Sequence, residues 1–207
     1  MTRNRWRKTQ VFALLVTLTL ATGCTFQNLP PMAVYAINPG WNQGNQVQTA
    51  KTRPVIIQIA PVRGSDAFSS KDILYTDKRQ RQHSYAYSRW RDAPVKSMQA
   101  VFEETLEKSG LFRAVLPPTS ASRADLLLES TLFEFGQFFA EDGSSKGVVR
   151  MRFHLVDNVS KKVVAGKELV AMMEVDAADA SGAAAAMNQA ALSVARSLVV
   201  WLRDVTK

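Results

Sequence analysis

Cysteine and histidine are scarce: Cys24, His83 and His154 are the only thiol and imidazole side chains in 207 residues. With one thiol there is no disulfide framework, so stability has to come from packing. Two isolated histidines give no metal-ligand spacing, and no cofactor is indicated. A hydrolase needs a nucleophile with a positioned base, and nothing beside either histidine resembles a nucleophile elbow. The loop at 64–70 lacks the Gly-Lys-Ser/Thr ending of a phosphate loop. There is no internal repeat. After Cys24 no segment reads as long and apolar enough to span a bilayer, since Arg196 and Arg203 interrupt the last apolar stretch. The net charge of +8 also excludes little. Four of the 26 basic residues precede Cys24 and no acid does, leaving 22 bases against 18 acids, or +4. That is ordinary for a soluble domain and gives no argument for nucleic acid.

What is present starts at the N-terminus. Arg3, Arg5, Arg7 and Lys8 precede an apolar run at 11–20 broken only by Thr17 and Thr19, and Ala21, Thr22 and Gly23 stand directly before Cys24. Basic, apolar, small is the order of a secretory signal peptide. A cysteine directly after the small residues resembles the bacterial lipobox, with Ala21 where leucine is commonest; the likeness covers 20–24. A transmembrane helix needs about 20 apolar residues to cross about 30 Å, and 11–21 offers roughly half of that. A chance cysteine at the cleavage point is the other reading, but this is the chain's single cysteine. Residues 1–23 therefore read as a lipoprotein signal peptide and Cys24 as the lipidation site. Buried acyl chains contribute about 0.8 kcal/mol per methylene, and two or more anchor stably. The membrane is thus the first partner expected.

Residues 24–52 read as a lipidated tether, rich in Pro, Gly, Asn and Gln, with one short β-prone island at 32–37. Residues 53–207 read as a single domain. The run at 53–62 (Val55, Ile56, Ile57, Ile59) is too continuously apolar for a one-sided strand and fits a central one. Residues 72–76 and 82–87 read as a hairpin around the charged turn 77–81. A helix follows, with Asp92 as its cap, Pro94 in its first turn, Val95, Met98, Phe102 and Leu106 as its apolar stripe, and Lys108 and Gly110 at its end. Glu103, Glu104 and Glu107 fall on its wet face. A short strand at 112–116 and a long one at 124–139 come next. Val149, Met151, Phe153 and Leu155 then alternate with Arg150, Arg152 and His154, which reads as a solvent-facing strand edge. Asp157 and Asn158 turn the chain into 163–175, so three antiparallel strands form a meander. A last helix at about 181–205 buries Met187, Ala191, Val194, Leu198 and Leu202, with Trp201 beside them. The elements give one α/β domain: a mixed, mostly antiparallel sheet with a meander and two main packed helices.

One patch stands apart: Lys78, Arg79, Arg81, Arg89 and Arg91 interleaved with Tyr75, Tyr85, Tyr87 and Trp90. Such mixing suits single-stranded nucleic acid in a cytosolic protein, but export argues against it. Two readings stay open. Either the aromatics are half-buried sheet residues and the bases cap a wet turn, or Tyr85, Tyr87, Arg89 and Trp90 contact a protein or lipid headgroup.

With these elements in place the chain resembles the ABC-type transport auxiliary lipoproteins, the family of the PqiC-type paraquat-inducible lipoproteins. The likeness rests on the lipobox, the Tyr35-Ala36-Ile37-Asn38-Pro39 segment, the strand at 55–62, the aromatic stretch from Ile73-Leu74-Tyr75 through Tyr85 to Trp90, the helix with Phe102 and Leu106, Asp125-Leu126-Leu127-Leu128, and the last helix. The insert near Gly44 has no counterpart. The resemblance implies a three-layer α/β domain and a periplasm-facing, non-enzymatic partner of an ABC or MCE-type lipid transport system. It also implies homo-oligomers, because PqiC-type members form rings. Thr25, rather than Asp, after Cys24 favours the outer membrane over the inner. Two other function classes compete: an outer-membrane assembly or scaffold lipoprotein tied to no transporter, and an envelope hydrolase using His83 or His154.

Overall fold

The computed structural model describes residues 29–38 and 52–206. The leader, Cys24 and most of the tether lie outside the described residues. From Met32 on, the described chain belongs to one compact unit. Its strands are β1 (Ala33–Tyr35), β2 (Arg53–Ile59), β3 (Arg63–Gly64), β4 (Asp72–Thr76), β5 (Gln82–Trp90), β6 (Phe112–Leu116), β7 (Leu126–Phe139), β8 (Ser145–Asp157) and β9 (Val163–Glu174). Its helices are α1 (Pro94–Ser109) and α2 (Ala180–Val205).

All nine strands join one mixed sheet built on β7. Along one edge β7 pairs antiparallel with β8 over its whole length, Leu126 facing Asp157 and Phe139 facing Ser145. The other edge is shared by three parallel strands in turn: β2 at Leu126, Leu127 and Leu128, β3 at Thr131 and Leu132, and β4 at Gln137 and Phe138. β2 carries β6 beyond it, and β4 carries β5 and then β1. β2 is the central strand expected, with Ile57 and Ile59 fully buried. On its other face Gln58 donates to the carbonyls of Pro117 and Ser120, closing the loop over it. The hairpin β4–β5 and the meander β7–β8–β9 are both present.

Both helices lie on the face that carries Phe153. Its ring meets Phe102 of α1 edge-on at 5.4 Å and Trp201 of α2 at 6.5 Å. The alternation of β8 explains this, since Val149, Met151, Phe153 and Leu155 are all fully buried beneath the helices. Close approach of α2 depends on Gly147, where an added Cβ would stand 2.8 Å from Ala186 Cβ. The third layer expected over the opposite face is here Phe68, at the end of a short 3-10 turn (Asp66–Phe68), which shares a cavity wall with Leu74, Phe133 and Phe138. At Gln58 that face is covered by the loop at 117–120, and along β7, β8 and β9 by its own side chains. Arg150 Nη2 bonds Glu134 at 2.8 Å, Arg152 Nη2 bonds Glu168 at 2.9 Å, and both guanidinium groups stack over Phe133. His154 belongs to this open face of an interior strand, not to a strand edge, because β9 pairs beyond β8.

Two local expectations need correction. Asp92 does not cap α1: Ala93 holds the N-cap position without a side-chain bond, and Asp92 pairs with Arg91 Nε at 3.0 Å. One residue too far from the first turn, the carboxylate cannot reach its free N–H groups. The left-handed Gly110 (φ 63°) does end that helix. Secondly, α2 is long and apolar enough by composition alone to cross a membrane. Arg196 and Arg203 lie in its second half and leave 180–195 free of charge. Its stripe of Ala183, Met187, Ala190, Ala191, Val194, Leu198 and Leu202 is buried on the sheet, which makes it the core helix.

Candidate functional site: the basic and aromatic hairpin

The hairpin turn is organised by one carboxylate. Asp77 Oδ1 accepts the backbone N–H groups of Arg79 and Arg81, each at 2.9 Å, and Oδ2 accepts Arg81 Nε at 2.8 Å. His83 Nε2 lies 3.4 Å from the same Oδ2. These donors, the Arg81 amide foremost, hold the Asp77 carboxyl far below the usual carboxylate range. Gln80 takes the left-handed conformation the turn requires (φ 61°). Lys78 and Arg79 are exposed and have no ion pair among the described residues. The turn thus presents a net positive tip whose only acid is consumed internally.

Below the tip the strands carry an aromatic cluster. Tyr75 stacks on His83 at 5.2 Å, tilts against Tyr85 at 5.0 Å and meets the edge of Phe139 at 5.9 Å. The Tyr85 hydroxyl donates to Gln137 Oε1 at 2.5 Å, and Gln137 Nε2 donates to Ser145 Oγ at 2.7 Å. Gln137 is fully buried, so this chain of bonds satisfies an amide that would otherwise be costly in the core. Desolvation, with the negative charge of Asp179 and then Tyr75 behind it, pushes the Tyr85 phenol up to about 12. It therefore remains a hydrogen-bond donor at neutral pH.

The four residues singled out from sequence separate here. Tyr85 belongs to the half-buried cluster. Tyr87, 45% exposed, and Arg89 lie on the surface. Trp90 does not: it is 1% exposed, packs edge-on against Phe135 at 5.7 Å, and cannot offer its ring to a partner. Its indole N–H has no bond among the described residues. Sequence reasoning missed Gln137 and the bracket formed by Asp77. A polar residue between Phe135 and Phe139, on the same face of an apolar strand, was the available signal for the first. The site offers cationic and aromatic surface, and among the described residues no cluster of three His, Cys, Asp or Glu side chains is placed to hold a metal ion. Cys24 lies outside the described residues.

A family model described as ABC-type transport auxiliary lipoprotein component matches residues 35–199. Among solved structures, protein XCC0632 from Xanthomonas campestris superposes with a TM-score of 0.75 at 18% identity, covering 84% of this chain and 96% of its own. The hypothetical protein CT253 from Chlamydia trachomatis gives a TM-score of 0.54 at 10% identity, covering 73% of this chain and 96% of its own. At such identities these two share the fold. No curated protein matches the chain.

Proposed function

Because the chain belongs to the ABC-type transport auxiliary lipoprotein component family, we propose that it is a non-enzymatic accessory of an ABC/MCE-type intermembrane lipid transport system. It is held in the periplasm by acyl chains on Cys24, at the outer membrane, and works as a homo-oligomer beside MCE-domain or ABC transporter subunits. The observation that carries this reading is the family match across 35–199, directly downstream of a lipobox ending at Cys24. The hairpin supports it: Lys78 and Arg79 at its tip and Tyr87 and Arg89 toward its foot are exposed cationic and aromatic side chains of the kind that hold a neighbour.

The test is purification of the full-length chain from detergent-solubilised membranes after gentle cross-linking. An MCE-domain protein, permease or ATPase subunit should co-purify, and Cys24→Ser should move the chain out of the membrane fraction. A chain recovered alone, with lipid asymmetry of the outer membrane unchanged by its deletion, overturns the reading. Disturbed envelope protein assembly in that deletion would point to a scaffold instead.

A further inference from the structure

The edge of the meander makes a chemical demand that the rest of the domain does not meet. Among the described residues β9 pairs only with β8. Val175 N donates to the Ser145 carbonyl at 3.0 Å, and the register runs unbroken from Lys146 opposite Glu174 to Leu155 opposite Ala165. Antiparallel pairs alternate between bonded and unbonded positions. The inward groups therefore belong to Ala165, Lys167, Leu169, Ala171 and Met173. The N–H and C=O groups of Gly166, Glu168, Val170, Met172 and Glu174 point away from the sheet, and none has a backbone partner among the described residues. Soluble proteins protect such an edge with short strands, prolines or charges. This one is 12 residues long; it carries Lys167, Glu168 and Glu174, but the run between them at 169–173 is uncharged and apolar, with Val170 and Met172 47 and 58% exposed.

Beside the edge lies a groove of about 350 Å³ between β9 and α2, lined by Lys167, Leu169, Arg196, Val200, Trp201 and Asp204. Its floor is apolar. Lys167 and Arg196 have no carboxylate partner among the described residues, while Asp204 has Arg203 Nε at 3.7 Å. We propose that β9 and this groove take an extended segment of a different protein, which adds as a tenth strand and places acidic and apolar side chains against Lys167, Arg196, Leu169 and Trp201. A second copy of this chain does not fit. Its other free edges, β1 (Ala-Val-Tyr) and β6 (Phe-Arg-Ala-Val-Leu), carry no acid. On its β9, Glu168 is held by Arg150 and Arg152, and Glu174 by Lys146. This inference does not depend on the transporter reading; it requires only a partner with an exposed acidic strand.

The probe is a fluorescein-labelled nine-residue peptide with threonine at odd positions and valine, aspartate, aspartate, valine at even ones, titrated by anisotropy against the full-length chain in detergent. A control peptide replaces both aspartates by lysine. The acidic peptide should bind saturably and at least tenfold more tightly than the control. Lys167→Glu with Arg196→Glu should reverse that preference. Val170→Pro removes one outward N–H and none of the β8 ladder, so it should weaken binding at least tenfold with the fold retained. Amide exchange on the unmutated chain gives a readout independent of any variant: peptide should slow exchange at Gly166, Glu168, Val170 and Met172 and leave Lys167, Leu169 and Ala171 unchanged. Equal binding of the two peptides, an unaltered Val170→Pro titration, or no change in exchange at the outward amides overturns the proposal. So does sedimentation showing that Val170→Pro abolishes self-association and nothing else, which would assign the edge to a second copy.

Discussion

Replacing Gln137 by leucine tests whether the hairpin is held to the core by the bonds seen at its foot. Leucine keeps the volume and apolar character that a fully buried site on β7 tolerates, yet strands both partners of the amide. The Ser145 hydroxyl, 5% exposed, loses the donor at 2.7 Å, and an unsatisfied buried hydroxyl costs about 1–3 kcal/mol. The Tyr85 hydroxyl loses its acceptor at 2.5 Å, a bond contributing about 1 kcal/mol. The total is about 2–4 kcal/mol, which for a domain of this size lowers Tm by roughly 5–15 °C. Tyr85→Phe alone leaves the buried Gln137 Oε1 without its donor and should cost about 1–3 kcal/mol. In the Gln137→Leu background it should cost almost nothing, because its acceptor has gone, so a double-mutant cycle should give a coupling of about 1–3 kcal/mol. Thermal unfolding followed by circular dichroism reads all four corners. A Gln137→Leu protein as stable as the parent, or two substitutions whose effects simply add, would refute the role assigned to this amide.

Three further outcomes follow from the same geometry. Asp77→Asn should speed exchange of the Arg79 and Arg81 amides at neutral pH. Because the folded carboxyl titrates below its ordinary value, the contribution of Asp77 is present above the usual carboxylate range and lost as pH falls through the folded value. The gap between parent and variant, measured by amide exchange, should therefore close in acid. Tyr85 has the opposite sign: with its phenol raised to about 12, stability should fall between pH 10 and about 12, where the unfolded chain ionises first, and Tyr85→Phe should flatten that stretch of a pH–stability profile. Gly147→Ala should cost about 1–3 kcal/mol in chemical denaturation, since the new methyl meets the α2 backbone at 2.9 Å, which a rotamer change cannot relieve.

How much of this was legible in the sequence depended on whether a pattern was local. The alternation of Val149, Met151, Phe153 and Leu155 with Arg150, Arg152 and His154 needs only the two-residue period of a strand, and it located β8 and its buried face. The Pro94 start and Gly110 stop of α1 needed only backbone preferences. Non-local facts were out of reach. The single edge of β7 that receives β2, β3 and β4 in succession is a matter of register between segments up to about 70 residues apart, and no period encodes it. Trp90 stays open in the sequence for the same reason: a tryptophan between two arginines reads as a sheet residue or an interface residue until Phe135 of another strand is known to lie against it. The free edge of β9 is the strongest case. Val163, Val164, Val170 and Met172 look in sequence like any strand that buries one face. Only the topology, in which no tenth strand lies beside them among the described residues, turns those side chains and the outward amides of Gly166, Val170 and Met172 into a surface that calls for a partner.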